Sequence, residues 1–152
     1  MHRQRLEHLF EPGGTYFVTV TRLDRRVNLA DHRVAPTIIS ALKHFEEERY
    51  LLFDYVVMPD HMHFIMKPLP VNGEWFPLSV IYHSLKSFTA NQINRVIGRS
   101  GPLWQDDTCD RVVRGRTDFE EKAKYIFMNS QRRGLVRDHV LWPWWGRGKG
   151  IP

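Results

Sequence analysis

The chain has 152 residues, of which 42% are hydrophobic and 26% are charged, a balance typical of a folded protein with one domain-sized core. It contains no run of about 18 apolar residues, the length that a membrane helix requires, and its N-terminus lacks the apolar region of a signal peptide. A single cysteine, Cys109, excludes an internal disulfide and a thiolate zinc cluster. The default expectation is therefore a cytoplasmic protein without membrane contact.

The positive charge lies in the second half of the chain. The formal net charge is +5, and residues 1–70 contain nine basic and nine acidic residues, so the whole excess falls in residues 71–152. Many of these bases are arginines, whose planar fork of donors suits phosphate oxygens. The distribution is compatible with a solvated basic surface and with a polyanionic partner.

The first half of the chain predicts a strand, a helix and a β-hairpin. Residues 15–22 alternate β-branched and aromatic side chains after two glycines, which indicates a strand. Pro36 lies near the start of a helical pattern with apolar residues spaced by three and four. Two further apolar strands, 51–58 and 61–67, flank Pro59 and Asp60, which favour a tight turn.

The second half predicts two helices separated by a short strand. Pro77 begins a long helix that ends at Gly98, and its apolar stripe comprises Leu78, Ile81, Leu85 and Phe88. Residues 110–114 are a strand candidate. Thr117 and Glu120 match a capping box that would start a last helix, which extends to about Arg133.

This order, β-α-β-β-α-β followed by one helix, predicts an α+β fold of the ferredoxin-like or RRM-like type. Such a fold has an antiparallel sheet with two helices on one face and leaves the other face free for a ligand. We expect a single domain over residues 1–152. Its tail from about residue 137 is expected to be irregular and packed back on the domain.

His61 and His63 are two residues apart on a predicted strand, so their side chains share one face with Cα atoms roughly 6.5–7 Å apart. Alternation would bury Met62 and Phe64 and leave both histidines on the open face. Two imidazoles at this spacing can bind one divalent cation, although a pair of surface histidines fits the pattern as well. A cation would also need a third protein ligand.

The last helix could supply that ligand. Tyr125 and Asn129 are four residues apart and share a helical face, with Lys122 one turn earlier. The opposite stripe is apolar and would pack on the protein: Phe119, Ala123, Ile126 and Phe127. The Asn129 carbonyl suits Mg²⁺ or Mn²⁺, and Tyr125 would be the nucleophile if a cation or base favours its phenolate. Alternatively, Tyr125 only covers the sheet.

Two segments resemble a known family. Residues 56–66, which include both histidines, resemble the histidine–hydrophobic–histidine signature of the single-tyrosine HUH transposases. Residues 125–136 resemble the tyrosine-helix signature of one branch, the REP-associated tyrosine transposases. Residues 84–89 and 103–106 and the tryptophan-rich end are also similar, so the resemblance extends from about residue 15 to residue 145. Departures are Ser130, where the branch commonly has proline, and an unusually acidic segment at 106–110.

The resemblance implies an enzyme that cleaves and rejoins single-stranded DNA at palindromic hairpins. Tyr125 would attack a phosphodiester, keep the 5′-phosphate and release a 3′-hydroxyl. Mg²⁺ or Mn²⁺ would be bound by His61, His63 and Asn129, since this branch has asparagine as the third ligand. Relatives include monomers and obligate dimers, so the resemblance leaves a monomer or a homodimer open.

Several residues are candidates for contacts with DNA phosphates or bases. They are Lys86, Arg95, Arg99, Trp104, Arg111, Arg114 and Arg116, together with Phe88.

Two alternative functions remain open. A non-catalytic RRM-like module could bind single-stranded nucleic acid, although its aromatic signature is absent. A replication initiator or relaxase would use the same histidine pair, but on a larger scaffold.

Overall fold

The computed structural model describes residues 11–151, which form one five-stranded sheet and three α-helices. In chain order the elements are β1 (Thr15–Thr21), α1 (Ala35–His44), β2 (Tyr50–Val57), β3 (His61–Pro68), α2 (Leu78–Ile97), β4 (Cys109–Val113), α3 (Gly115–Arg132) and β5 (Trp145–Arg147). The strand order is β4-β1-β3-β2-β5, and every neighbouring pair is antiparallel. The predicted α+β fold and its order of elements are confirmed.

Helices α1 and α2 cover one face of the sheet. Alternate residues of β1, Tyr16, Val18 and Val20, point into this core. Ile38 of α1 and Leu85 of α2 are fully buried in it, as their helical spacing predicts. None of the helices in residues 11–151 is long and apolar enough to cross a membrane.

Helix α3 packs on the opposite face, over β2 and β3. Its Ala123 and Ile126 form a second, smaller core with Phe53, Val56 and Ile65. The expectation that this face is free is therefore wrong for its central part, because the apolar stripe of α3 needs a partner and the sheet supplies it. Phe127, which belongs to the predicted stripe, also packs on the protein, against the rings of His139 and Trp145.

Part of this face, over β1 and β4, is less covered, and we call it the open strip. It consists of Phe17, Thr19 and Thr21 of β1, which are half-buried, and Cys109 and Arg111 of β4, which are exposed. Strand pairing places Phe17 opposite Arg111 and Thr19 opposite Cys109. The open strip thus lies between α3 and the β4 edge of the sheet.

The turn between β2 and β3 is held from outside the hairpin. The Met58 N–H donates to the His61 carbonyl at 2.8 Å, which closes the predicted tight turn. The Arg22 N–H donates to the Asp60 carbonyl at 3.0 Å, and the Arg22 guanidinium donates to the Pro59 carbonyl at 3.0 Å. The strand that begins at His61 therefore starts from a fixed point.

The ends of two helices test the capping predictions. Gly98 and Gly134 follow α2 and α3 with φ of 66° and 71°, the left-handed conformation that glycine adopts most readily. The prediction that a capping box at Thr117 and Glu120 starts this helix is wrong, because α3 already begins at Gly115. The carboxylate of Asp118 accepts the Arg114 N–H at 2.8 Å instead.

The tail is more regular than predicted. Residues His139–Leu141 form a 3₁₀ turn, and β5 pairs with the edge of β2. A Cβ at Gly146 would lie 2.6 Å from the Tyr55 hydroxyl oxygen, so only glycine permits this close approach. The irregular tail is thus corrected to an edge strand that follows a single turn.

Candidate active site

His61 and His63 point to the same face of the sheet, toward α3. Their ring centroids are 4.5 Å apart, while Met62 and Phe64 lie in the core on the other side. His63 is only 6% exposed, because Phe17 stacks on it at 5.1 Å and Tyr125 contacts its edge at 5.5 Å. The pair therefore lies at the floor of a shielded site rather than on an open surface.

One nitrogen of each ring is already occupied. His61 Nδ1 lies 2.6 Å from the Asp60 carboxylate, and His63 Nδ1 lies 2.8 Å from the Thr19 hydroxyl. Partners of this kind fix the tautomer and the orientation of ligand histidines. With Nδ1–H as the donor in each contact, Nε2 of both rings keeps its lone pair for a ligand.

Both imidazoles are held in the neutral form. Burial, together with the charges of the neighbouring His61 and Arg132, lowers the pKa of His63 to about 3. Burial also lowers the pKa of His61, although the Asp60 carboxylate opposes this shift. Neutral imidazole is the form that binds metal ions, so the pair is ready for a cation at neutral pH.

Tyr125 differs from the four other tyrosines, all of which lie within residues 11–151. Its side chain is 44% exposed, whereas Tyr16, Tyr50, Tyr55 and Tyr82 are at most 5% exposed. The hydroxyl of Tyr50 donates to the Leu42 carbonyl, and burial raises its pKa. Tyr125 is therefore the tyrosine that an external substrate can reach.

Asn129 lies one turn after Tyr125 on α3 and is 2% exposed. Its Nδ2 is buried and has no hydrogen-bond partner among the described residues. A buried donor without a partner costs about 1–3 kcal/mol, and an acceptor such as a water oxygen or an anion would satisfy it. The Oγ of Ser130, the next residue, is buried without a partner as well.

Asp60 connects the hairpin to the end of α3. Its second carboxylate oxygen lies 3.6 Å from the guanidinium of Arg133. Burial opposes ionisation of Asp60, but the hydrogen bond from His61 and the charge of Arg133 outweigh it and lower the pKa of Asp60. The elements that carry the histidines, Tyr125 and Asn129 thus meet at one place.

No three His, Cys, Asp or Glu side chains within residues 11–151 are grouped as a metal site. The Asn129 amide lies on α3, which packs over the strand that carries the histidine pair. Sequence reasoning missed Phe17, Thr19, Asp60 and Arg132 at this site. Thr19 meets His63 only through strand pairing across 44 positions, whereas the adjacency of Asp60 to His61 was visible in the sequence.

The candidate DNA contacts do not form one surface. Arg99 is bound to the Asp24 carboxylate at 3.0 Å and to the carbonyls of Gly101 and Pro102. Trp104 is 5% exposed, and its indole N–H donates to Thr89 at 2.8 Å. Both expectations are corrected, since these side chains stabilise the fold and are not free to contact DNA without repacking.

The other candidates divide into two groups. Lys86 donates to the Asp106 carbonyl and to Thr108, which ties down the segment before β4, and Phe88 stacks on His44. The remaining four are exposed: Arg95, Arg111, Arg114 and Arg116. Arg114 and Arg116 pair with Glu11 and Glu120 at the surface, and Arg111 lies in the open strip.

No protein-family model matches the chain. A REP-associated tyrosine transposase of Escherichia coli K12 is 27% identical, over 86% of this chain and 74% of the relative. A Haemophilus influenzae protein provisionally given the same name is 26% identical, over 89% and 80%. The solved structure of a REP-associated tyrosine transposase bound to a REP hairpin matches with a TM-score of 0.72 and 25% identity, over 95% of this chain and 82% of that one. In sequence and in fold, this chain is thus similar to REP-associated tyrosine transposases.

Proposed function

We propose that this protein cleaves and rejoins single-stranded DNA at palindromic hairpin sites through a covalent 5′-phosphotyrosine on Tyr125. The observation that carries this proposal is the position of Tyr125, the exposed tyrosine, against His63. Its homologues are DNA-processing transposases, and the matched solved relative is bound to a REP hairpin. We therefore assign a hairpin with a single-stranded flank as the substrate.

The residues beside Tyr125 fit a divalent cation. Two imidazoles converge on one face, and α3, which packs over their strand, carries the amide oxygen of Asn129, a ligand type that hard divalent cations accept. We propose that His61, His63 and Asn129 bind Mg²⁺ or Mn²⁺, with Asp60 and Thr19 orienting the rings. When bound, the cation would supply Lewis-acid withdrawal of charge from a nonbridging phosphate oxygen.

The chain's own residues account for the transfer step. The Tyr125 oxygen bonds to phosphorus, the phenolic proton passes to solvent, and the bond from phosphorus to the 3′-oxygen breaks. The leaving oxygen takes up a proton and becomes a free 3′-hydroxyl. One phosphodiester replaces another, so the same hydroxyl can reverse the reaction without ATP.

The open strip gives the strand a place beside Tyr125. Phe17 contacts the Tyr125 ring edge-on at 6.0 Å and offers an aromatic surface to a base. Arg111 lies opposite Phe17 on the neighbouring strand and can reach a backbone phosphate. The RRM-like alternative is less well supported, because α3 covers the central part of the sheet face that such a module would present.

The test uses a hairpin oligonucleotide with single-stranded flanks, incubated with Mg²⁺ or Mn²⁺ and the protein or its variants. Tyr125→Phe removes one exposed oxygen and keeps the ring packing, so we expect the folded protein to lose both cleavage and the denaturation-resistant adduct. Tyr55→Phe makes the same chemical change at a buried strand position and should retain both. An adduct formed by Tyr125→Phe would refute the assignment.

A further inference from the structure

Arg132 lies two turns after Tyr125 on α3 and covers the ring of that tyrosine. Its guanidinium carbon is 3.9 Å from the ring centroid, and one nitrogen lies 3.4 Å from the Tyr125 carbonyl. In the described part of the chain, no carboxylate pairs with Arg132, whereas its neighbour Arg133 is paired with Asp60. The charge of Arg132 is thus available beside the tyrosine.

We propose that Arg132 is a catalytic residue that donates to a nonbridging oxygen of the scissile phosphate while its flat face holds the Tyr125 ring. This inference rests on the proposed cleavage reaction. A guanidinium stacks through its face and donates through its edge, so contact with the ring leaves free the N–H groups that are not used by the Tyr125 carbonyl. A phosphate bonded to the phenolic oxygen lies beside the same ring, within reach of that edge.

The electrostatics of the site favour this role. The Asp60 carboxylate contacts His61 and Arg133 rather than Arg132. The guanidinium of Arg132 lies over the ring of Tyr125, which in turn contacts His63, so its charge is placed beside the site. An unpaired cation placed before the reaction stabilises negative charge on phosphate oxygens as the transition state forms.

Arg132 keeps its proton throughout. The bond between the Tyr125 oxygen and phosphorus forms, the bond to the 3′-oxygen breaks, and the guanidinium only strengthens its hydrogen bond to the nonbridging oxygen. Arg132 therefore acts equally on cleavage and on rejoining, because both steps pass through the same charge distribution at phosphorus.

The experiment measures single-turnover cleavage of the flanked hairpin by the full chain and three variants. Arg132→Met keeps the length of the side chain and removes its charge, and we expect it to lower the rate about 100- to 1000-fold without weakening hairpin binding. Arg132→Lys keeps the charge without the planar set of donors, so its rate should lie between those of Arg132→Met and the unmodified chain. Arg137→Met removes a charge from an exposed position five residues later and should leave the rate unchanged.

A second substrate separates contact with phosphate from support of the ring. It carries a neutral methylphosphonate at the scissile position, prepared as separate diastereomers. For the diastereomer that lacks the oxygen bound by Arg132, the full chain and Arg132→Met should react at similar rates. A purely structural role predicts the same loss on both diastereomers and on the natural phosphate.

Three results would overturn the inference. Arg132→Met could cleave the natural substrate at the normal rate, or it could lose the same factor on all three substrates. In either case, a Tyr125-dependent adduct in the unmodified chain would leave the proposed function intact. Absence of that adduct would refute the proposed function and this inference together.

Discussion

Replacing Asn129 by leucine should stabilise the metal-free protein. The Asn129 Nδ2 is buried without a partner, and such a donor costs about 1–3 kcal/mol. Leucine has a similar volume, needs no hydrogen bond and favours the helix more than asparagine does. We therefore expect Asn129→Leu to raise the free energy of unfolding in EDTA by about 1–3 kcal/mol, which corresponds to about 2–12 °C in Tm for a chain of this size.

Added Mn²⁺ should make the unmodified chain more stable than Asn129→Leu. A ligand that binds only the folded state stabilises it in proportion to the logarithm of its concentration over Kd, so the unmodified chain should gain Tm as Mn²⁺ increases. Asn129→Leu lacks one ligand and should gain much less. Thermal denaturation followed by circular dichroism, with EDTA and with a series of Mn²⁺ concentrations, measures both effects.

Ser130→Ala is the matched control. It removes a buried hydroxyl without a partner from the neighbouring position, so it should stabilise the metal-free protein and keep the full response to Mn²⁺. Destabilisation of the metal-free protein by Asn129→Leu would refute the argument from the orphaned amide. A full Mn²⁺ response in that variant would refute Asn129 as a ligand.

Three further predictions concern the fold and the DNA surface. Trp104→Phe should lower the free energy of unfolding by about 1–3 kcal/mol through the lost hydrogen bond to Thr89 and leave hairpin affinity unchanged. Weaker DNA binding by this variant with no loss of stability would restore Trp104 as a DNA contact. Binding should favour a flanked hairpin over duplex and weaken with salt, and Arg111→Gln should lower the salt slope by about 1; an unchanged slope in filter-binding assays contradicts this. Hydrogen bonding by the Arg114 N–H lowers the pKa of Asp118, so this carboxylate stabilises the fold above its unfolded pKa of about 4 and loses that effect as pH falls. As pH falls, Asp118→Asn should therefore lose less stability than the unmodified chain. The same dependence of stability on acid pH in both proteins would contradict this role of Asp118.

Local periodicity predicted most elements but not their partners. Strand alternation placed His61 and His63 on one face, and helical spacing placed Asn129 one turn after Tyr125. The stripe at Ala123 and Ile126 correctly indicated a buried helix face. Its spacing did not indicate that this face would cover the histidine side of the sheet. Hydrophobic periodicity identifies which residues are buried but not the element that they pack against.

The residues that were misassigned depend on contacts between distant parts of the chain. In the sequence, Arg99 has the features of a free surface arginine. The fold, however, brings Asp24, which is 75 positions away, beside it. Trp104 looks like a stacking platform until α2 supplies Thr89 as its partner. The strand Trp145–Arg147 is too short to show alternation, and its pairing with β2 is set by the sheet edge.

The division of the site between two cores gives the protein a mechanical property. Tyr125 and Asn129 belong to α3, which is attached through the smaller core and the ion pair from Arg133 to Asp60, whereas both histidines belong to a strand embedded in the main core. We expect a helix held by this smaller core to open at a lower free energy than the sheet beneath it. Because Tyr125 and Asn129 lie one turn apart on that helix, its opening would move both away from the two imidazoles together.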